Sequence, residues 1–82
     1  MIFYYTYVLL SLKDLKFYIG WTDNLKLRVK KHNNGKVVAT KNRLPLQLVY
    51  YEACLSKDRA IEREKQLKTG FGRKYLKKRL HL

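Results

Sequence analysis

The chain has 82 residues, of which nineteen are Lys or Arg and six are Asp or Glu, so its formal net charge is +13. This length predicts one domain over residues 1–82 with a single modest hydrophobic core. The charge attracts polyanions, and nucleic acid is the expected partner; a generic basic surface and an anionic membrane surface are the alternatives. Because Cys54 is the only cysteine, a disulfide within the chain and a C-x-x-C metal site are excluded, which fits a reducing, cytoplasmic setting.

The beginning of the chain predicts a β-hairpin. Residues 2–10 and 16–21 are rich in Tyr, Phe, Ile and Val, and turn-forming residues separate them. The opening apolar run lacks a basic leader and is shorter than the roughly 18 residues of a membrane span. We therefore expect a strand here and no membrane association.

The pairing of these two strands depends on the position of the turn. A turn centred between Leu12 and Lys13 would place Tyr7 directly opposite Tyr18. The two phenols would then lie on the same face of the sheet.

A first helix is predicted over residues 24–33, with Thr22 or Asp23 as its cap and Gly35 just after its end. Arg28 and His32 are expected at the edge of its core-facing stripe, not on the far solvent side. The stripe itself follows the i, i+4, i+7 spacing and consists of Leu25, Val29 and His32.

A basic loop and a third strand follow the helix. Residues 36–45 are polar, include Lys41 and Arg43, and contain no acid. The next run, from Leu46 to Leu55, is apolar on both alternating faces, which predicts a central or doubly covered strand and not an exposed edge strand.

A second helix is predicted over residues 57–68, with Ser56 as its cap. Glu64 lies on the apolar stripe of this helix, and a carboxylate is costly there unless it is paired. Two explanations are open. Glu64 forms a salt bridge to Arg28, or it binds a divalent cation together with waters and a substrate phosphate.

Gly70 and Gly72 are expected to interrupt the helical pattern, so a third, very basic helix is predicted over 73–80. Its buried side is predicted to consist of Tyr75, Leu76 and Leu80. The element order is then β-β-α-β-α-α, an α/β domain in which helices flank a small sheet.

No linear catalytic motif is present, and each polar candidate has an ordinary explanation when taken alone. Tyr7 and Tyr18 are typical of packed sheet aromatics. Arg28 is typical of a surface cation, and His32 of a residue near a helix C-terminus.

Taken together, however, these residues form a recognisable series. TYV at Thr6–Val8 and YIG at Tyr18–Gly20 are followed by Arg28 and His32 in LRVKKH, and REK occurs at Arg63–Lys65. In order and spacing the series resembles the GIY-YIG nuclease family, in particular its small stand-alone bacterial members with a single domain. The likeness covers nearly the whole chain.

The resemblance implies a three-stranded antiparallel sheet flanked by helices, and a DNA endonuclease that depends on Mg²⁺ or Mn²⁺. It implies that Glu64 binds the metal, that Arg28 stabilises the phosphate, and that His32 lies near the nucleophile. Tyr7 and Tyr18 match the two motif tyrosines, one of which helps to activate the water.

The expected enzyme is structure- or partner-directed and acts in DNA repair or recombination, with a protein partner as one source of specificity. The alternative is a non-catalytic nucleic-acid-binding module with the same fold. The expected phosphate contacts come from the basic residues Lys41, Arg43, Arg73 and Lys77.

Two positions depart from the family pattern. The first motif is TYV in place of GIY, which keeps the tyrosine. Several family members also have an Asn after the glutamate, whereas this chain has none after Glu64. Either Lys68, Thr69 or Arg73 replaces that Asn, or the activity is weak.

Overall fold

A computed structural model describes all 82 residues and has the predicted order β-β-α-β-α-α. The six elements are β1 (Tyr4–Ser11), β2 (Phe17–Thr22), α1 (Leu25–Asn33), β3 (Leu46–Cys54), α2 (Lys57–Leu67) and α3 (Gly70–Leu80). The three strands form one antiparallel sheet, so the predicted fold class is confirmed. None of the helices combines the length and the apolar character that crossing a bilayer requires.

The central strand of the sheet is β1, because the strand order is β2-β1-β3. The prediction that β3 is central was therefore wrong. Four consecutive residues of β1, from Thr6 to Leu9, are buried, whereas the side chains of β3 are mostly half-buried or exposed. The apolar residues of β3 include Tyr51, which lies opposite Tyr7 but is exposed at the edge of the sheet, where its ring contacts Tyr5 edge to face. The prediction failed because aromatic residues on this edge strand give the same apolar sequence pattern as a strand covered on both sides.

The hairpin register differs from the prediction by two residues. Tyr7 lies opposite Gly20, and Tyr18 lies opposite Leu9. The turn is longer than a two-residue turn and includes Leu15, whose φ of 59° is in the left-handed region. Because a shift of two residues preserves the faces of a strand, Tyr7 and Tyr18 still lie on one face, with ring centroids 6.5 Å apart.

The core has two parts, one on each face of the sheet. On the α1 face, Tyr7 and Leu9 pack with partly buried residues of α1 such as Val29. On the α2–α3 face, Val8 and Ile19 pack against apolar residues of the other two helices, Leu67 and Leu76. The hydroxyl of Thr6 also donates to the carbonyl of Ala60, at 2.9 Å, and so ties β1 to α2.

The cap of α1 is Asn24, not Thr22 or Asp23. Its side chain accepts the backbone N–H of Leu27 at 3.2 Å, and the hydroxyl of Thr22 in turn accepts the N–H of Asn24 at 3.1 Å. At the other end Gly35 has φ +72°, as predicted for a residue that follows a helix. The predicted cap of α2 is confirmed, since the side chain of Ser56 accepts the N–H of Arg59.

The third helix starts earlier than predicted, because the two glycines lie in its first turn. Thr69 caps it, and its hydroxyl accepts the N–H of Gly72 at 3.1 Å. A Cβ atom at Gly72 would meet the backbone of Leu67, so this glycine permits α3 to turn back closely onto α2. On the predicted buried side Leu76 is fully buried, but Tyr75 is 42% exposed and that part of the prediction was wrong.

Candidate active site

The centre of the site is a hydrogen bond between Tyr7 of β1 and His32 of α1. The hydroxyl oxygen of Tyr7 lies 2.9 Å from Nε2 of His32, and both side chains are buried. Tyr7 is on the central strand, and His32 is in the last turn of the helix that covers this face. The i, i+4, i+7 stripe of α1 thus brings an imidazole to the tyrosine of the first motif.

Thr40 completes this chain of hydrogen bonds on the other side of the imidazole ring. Its hydroxyl oxygen lies 2.7 Å from Nδ1 of His32, and its side chain is fully buried. Sequence reasoning missed Thr40 because it lies in the irregular loop predicted only as a basic rim. No periodic pattern marks a buried position in such a loop, so the sequence held no signal for it.

Arg28 and Tyr18 lie beside this pair. The Nε–H of Arg28 donates to the hydroxyl oxygen of Tyr7 at 3.4 Å. The ring of Tyr18 packs against the ring of His32, with centroids 5.0 Å apart. Four of the five predicted catalytic residues are therefore in contact with one another.

Burial keeps the two central groups neutral. The pKa of His32 is lowered to about 4, first because burial disfavours the imidazolium and second because Arg28 is nearby. The pKa of Tyr7 is raised, chiefly by burial, although its hydrogen bond from Arg28 opposes the rise. At neutral pH the pair therefore holds an un-ionised phenol next to a neutral imidazole.

Gly20, the last residue of the YIG motif, has a packing role at this site. A Cβ atom at position 20 would lie 2.6 Å from the hydroxyl oxygen of Tyr7. Because Gly20 is the direct partner of Tyr7 in the hairpin, any side chain there would push the phenol away. The backbone conformation at Gly20 is an ordinary one, so the need for glycine is steric.

Glu64 reaches the site from α2 and remains partly accessible, with 18% of its side chain exposed. Its only ion pair is with Lys68, at 3.4 Å, so the predicted alternative of a salt bridge to Arg28 was wrong. The carboxylate is near enough for its charge to make a small contribution to the raised pKa of Tyr7. It therefore lies close to the tyrosine without a hydrogen bond to it.

The neighbour of Glu64 in the chain fixes α2 against the sheet. Arg63 donates from Nε and Nη2 to the carboxylate of Glu52 on β3, with distances of 2.9 to 3.1 Å. Tyr50 donates to the same carboxylate at 2.6 Å. This anchoring sets the position from which Glu64 approaches the tyrosines.

The fit of the site to a divalent ion depends on Glu64 alone. No group of three or more His, Cys, Asp or Glu side chains gathers anywhere in the structure. Mg²⁺ is commonly held by one or two carboxylates, with waters and substrate phosphate oxygens as the remaining ligands. A single partly accessible carboxylate, paired only with Lys68, fits that mode and does not fit an all-protein metal cage.

The four predicted phosphate-binding residues have different environments. Lys41 is exposed in the loop, and Arg73 and Lys77 are exposed on α3. Arg43 instead donates from Nε to Asp14 at 2.7 Å and from Nη2 to the carbonyl of Lys16 at 3.0 Å. Its guanidinium therefore connects the loop to the hairpin turn, and it lowers the pKa of Asp14 to about 2.

The antiparallel sheet presents two tyrosines, one helix adds an arginine and a histidine, and another helix adds a glutamate. This arrangement is typical of a nuclease catalytic domain. Residues 3–78 match the GIY-YIG catalytic domain, and the chain belongs to this family of nucleases. The resemblance inferred from the motifs is therefore confirmed.

Relatives of similar size support the assignment. A UPF0213 protein of Staphylococcus saprophyticus is 40% identical over 75 residues, which cover 90% of each chain. A UPF0213 protein of Clostridium perfringens is 45% identical over 65 residues, covering 78% of this chain and 69% of the relative. The solution NMR structure of a UPF0213 protein from Bacillus halodurans matches with a TM-score of 0.56 and 33% identity, covering 92% of this chain and 82% of the other.

Proposed function

We propose that this protein is a metal-dependent endonuclease that hydrolyses phosphodiester bonds of DNA. The observation that carries the proposal is the series of contacts that runs from the half-buried Arg28 through the buried Tyr7 and His32 to the buried Thr40. Phosphodiester hydrolysis requires an activated water and neutralisation of charge on the phosphoryl oxygens. Membership of the family supports nuclease activity in general, and these contacts are the reason to expect that activity in this chain.

In the proposed mechanism Tyr7 and His32 move the proton of the attacking water. The water transfers a proton to the hydroxyl oxygen of Tyr7 as the phenol proton passes to Nε2 of His32, and the resulting hydroxide attacks phosphorus. An imidazole with a pKa of about 4 is a weak acceptor. A bound phosphate next to it would raise that pKa, because negative charge favours the imidazolium. The acceptor thus becomes effective when substrate is bound.

Arg28 neutralises charge on the phosphate in this proposal. Its Nε is already held by the phenol of Tyr7, which leaves the terminal nitrogens of the guanidinium free for phosphoryl oxygens. Tyr18 packs against the imidazole and helps to fix its orientation. Arg28 and Tyr18 would therefore act through contacts with Tyr7 and His32 that the structure already contains.

Glu64 is the residue that would hold Mg²⁺ or Mn²⁺, and the bound ion would supply Lewis-acid stabilisation of the phosphate and the leaving oxygen. Lys68, four residues further on at the C-cap of α2, contacts the Glu64 carboxylate. We assign to Lys68 the task of orienting this carboxylate, in place of the Asn that helps to hold the active site in several family members. The absence of that Asn is then compatible with activity.

The biological setting belongs to the same proposal. The chain has no element typical of sequence readout, so selection of the substrate would come from DNA structure or from a protein partner. Both situations are common in DNA repair and recombination. The alternative, a non-catalytic nucleic-acid-binding module, is supported by the charge of +13 but gives no reason for a buried Tyr–His–Thr series.

The test is nicking of supercoiled plasmid and of branched DNA by purified protein, in Mg²⁺ and in chelator. We expect wild type to nick in Mg²⁺ only and Glu64→Ala to lose the activity. Glu62→Ala is the matched control, since Glu62 is an exposed glutamate on the same helix. If wild type binds DNA but nicks no substrate tested, the binding module replaces the enzyme.

A further inference from the structure

A cavity of about 720 Å³ opens beside the candidate active site, along the free edge of β2. Its apolar lining comes mainly from the hairpin, including Leu10, Phe17 and Ile19, and also includes Leu82. Lys68, the residue that caps the end of α2, and Arg73 and Lys77 of α3 line the other side. The volume is within the range typical of sites that bury a small ligand. We call this space the β2 groove.

The rim of the β2 groove is strongly basic. Lys16, Lys68, Arg73 and Lys77 all line it, and no acidic residue does. Only Lys68 has an ion pair within the protein. Arg73 and Lys77 are four residues apart on α3, a spacing at which like charges repel. Unpaired cations held together in this way favour an anionic ligand.

The groove is continuous with the candidate active site through two residues. Tyr18 lines the groove and also packs against His32. Lys68 lines the groove and also contacts Glu64. A ligand in the groove would therefore lie next to the residues proposed to cleave a phosphodiester.

We propose that the β2 groove binds an unpaired nucleotide of the substrate, with the base on the apolar lining and the flanking phosphates on the basic rim. An apolar surface with an aromatic residue and a cationic border suits the base and the backbone of a single strand. A base inside a duplex is stacked and paired, so it could fill this space only after leaving the helix. The proposal rests on the proposed function and specifies its substrate class as DNA that is single-stranded beside the cleaved bond.

Binding, measured in chelator so that no cleavage occurs, tests the groove separately from the nuclease activity. Fluorescence anisotropy would compare a labelled single-stranded oligonucleotide with the same strand in a duplex and with the same strand carrying abasic positions. We expect the single strand to bind best and the abasic strand to bind several-fold more weakly, because base stacking on the protein is lost. Equal affinity for all three would overturn the proposal.

Two variants with one control locate the binding. Lys77→Glu is expected to raise the Kd for the single strand roughly tenfold, since it replaces an attraction to phosphate by repulsion. Lys74→Glu makes the same change of charge on the same helix at an exposed residue outside the groove, and we expect a smaller effect. Phe17→Leu retains an apolar side chain and is expected to reduce the difference between the normal and the abasic strand.

The outcomes separate the two proposals. Selective single-strand binding that is lost in Lys77→Glu, with no cleavage in Mg²⁺, would support the groove and contradict the nuclease. Cleavage of duplex and single strand alike, with equal effects of Lys74→Glu and Lys77→Glu, would support the nuclease and overturn the groove. If Lys77→Glu weakens binding to phosphatidylglycerol vesicles but not to the single strand, the groove is a lipid site and the proposal is wrong.

Discussion

The hydroxyl oxygen of Thr40 lies 2.7 Å from Nδ1 of His32, on the opposite side of the imidazole ring from Tyr7. A neutral imidazole carries one proton, so the group bonded to one nitrogen determines what the other nitrogen offers. When the Nδ1–H donates to Thr40, Nε2 has a free lone pair and accepts from the phenol. Thr40 is therefore a positioning residue for the proposed proton acceptor.

Replacement of Thr40 tests this role. We expect Thr40→Val to lower the nicking rate by roughly tenfold to a hundredfold, because it leaves a buried nitrogen without a partner. Thr40→Ser keeps the hydroxyl and should restore most of the rate. The pH profile of nicking is the decisive measurement, since it should shift in Thr40→Val and not in Thr40→Ser. Identical profiles in all three proteins would limit Thr40 to a role in stability.

The pH dependence of folding tests the buried histidine. The folded-state pKa of His32 is about 4, against an ordinary value of 6.5, so between these values the unfolded chain binds more protons than the folded one. The contribution of the neutral imidazole to stability is therefore complete above pH 6.5 and is lost as the pH falls towards 4. A shift of this size corresponds to ~3 kcal/mol in the free energy of unfolding.

Urea unfolding at several pH values measures this contribution. The free energy of unfolding of wild type should fall between pH 6.5 and 4 more steeply than that of His32→Gln, which cannot titrate at this position. The lowered pKa of Asp14, about 2 against an ordinary 3.8, affects stability in the same direction but mainly below this range, and the comparison with the variant removes any remaining contribution of the carboxylates. Parallel curves for the two proteins would mean that His32 is not kept neutral by the fold.

Arg43 illustrates the limit of reading charge from sequence. In a basic loop it resembles a phosphate-binding residue, yet its guanidinium is bonded to Asp14 and to the carbonyl of Lys16. We expect Arg43→Gln to lower the thermal midpoint while leaving the salt dependence of DNA affinity nearly unchanged. Lys77→Gln should do the opposite, since loss of a phosphate contact reduces the salt slope by about one. Equal salt slopes for wild type and Lys77→Gln would contradict the assignment of Lys77 to phosphate.

The parts of this fold that could be predicted from sequence are those with a local cause. The stripe that buries His32 and the inward position of Glu64 follow from helical spacing, and the shared face of the two tyrosines follows from strand alternation. The register of the hairpin depends on Leu15 adopting a left-handed backbone conformation, and a leucine gives no reason to predict that conformation. The central position of β1 and the burial of Thr40 depend on contacts between distant segments, and no local pattern records them.

Gly20 shows how a motif residue can be explained by its partner across the hairpin. A methyl group at this position would lie 2.6 Å from the hydroxyl oxygen of Tyr7, so Gly20→Ala must displace the phenol or separate the strands. We expect a loss of roughly 1–3 kcal/mol in the free energy of unfolding. We also expect a larger loss of nicking than of DNA binding, because the phenol moves away from His32 and Arg28. Gly70→Ala is the matched control, since nothing lies within 4 Å of a Cβ atom there. If the two substitutions have the same effect on nicking, the close approach of Gly20 to Tyr7 is not what the motif glycine provides.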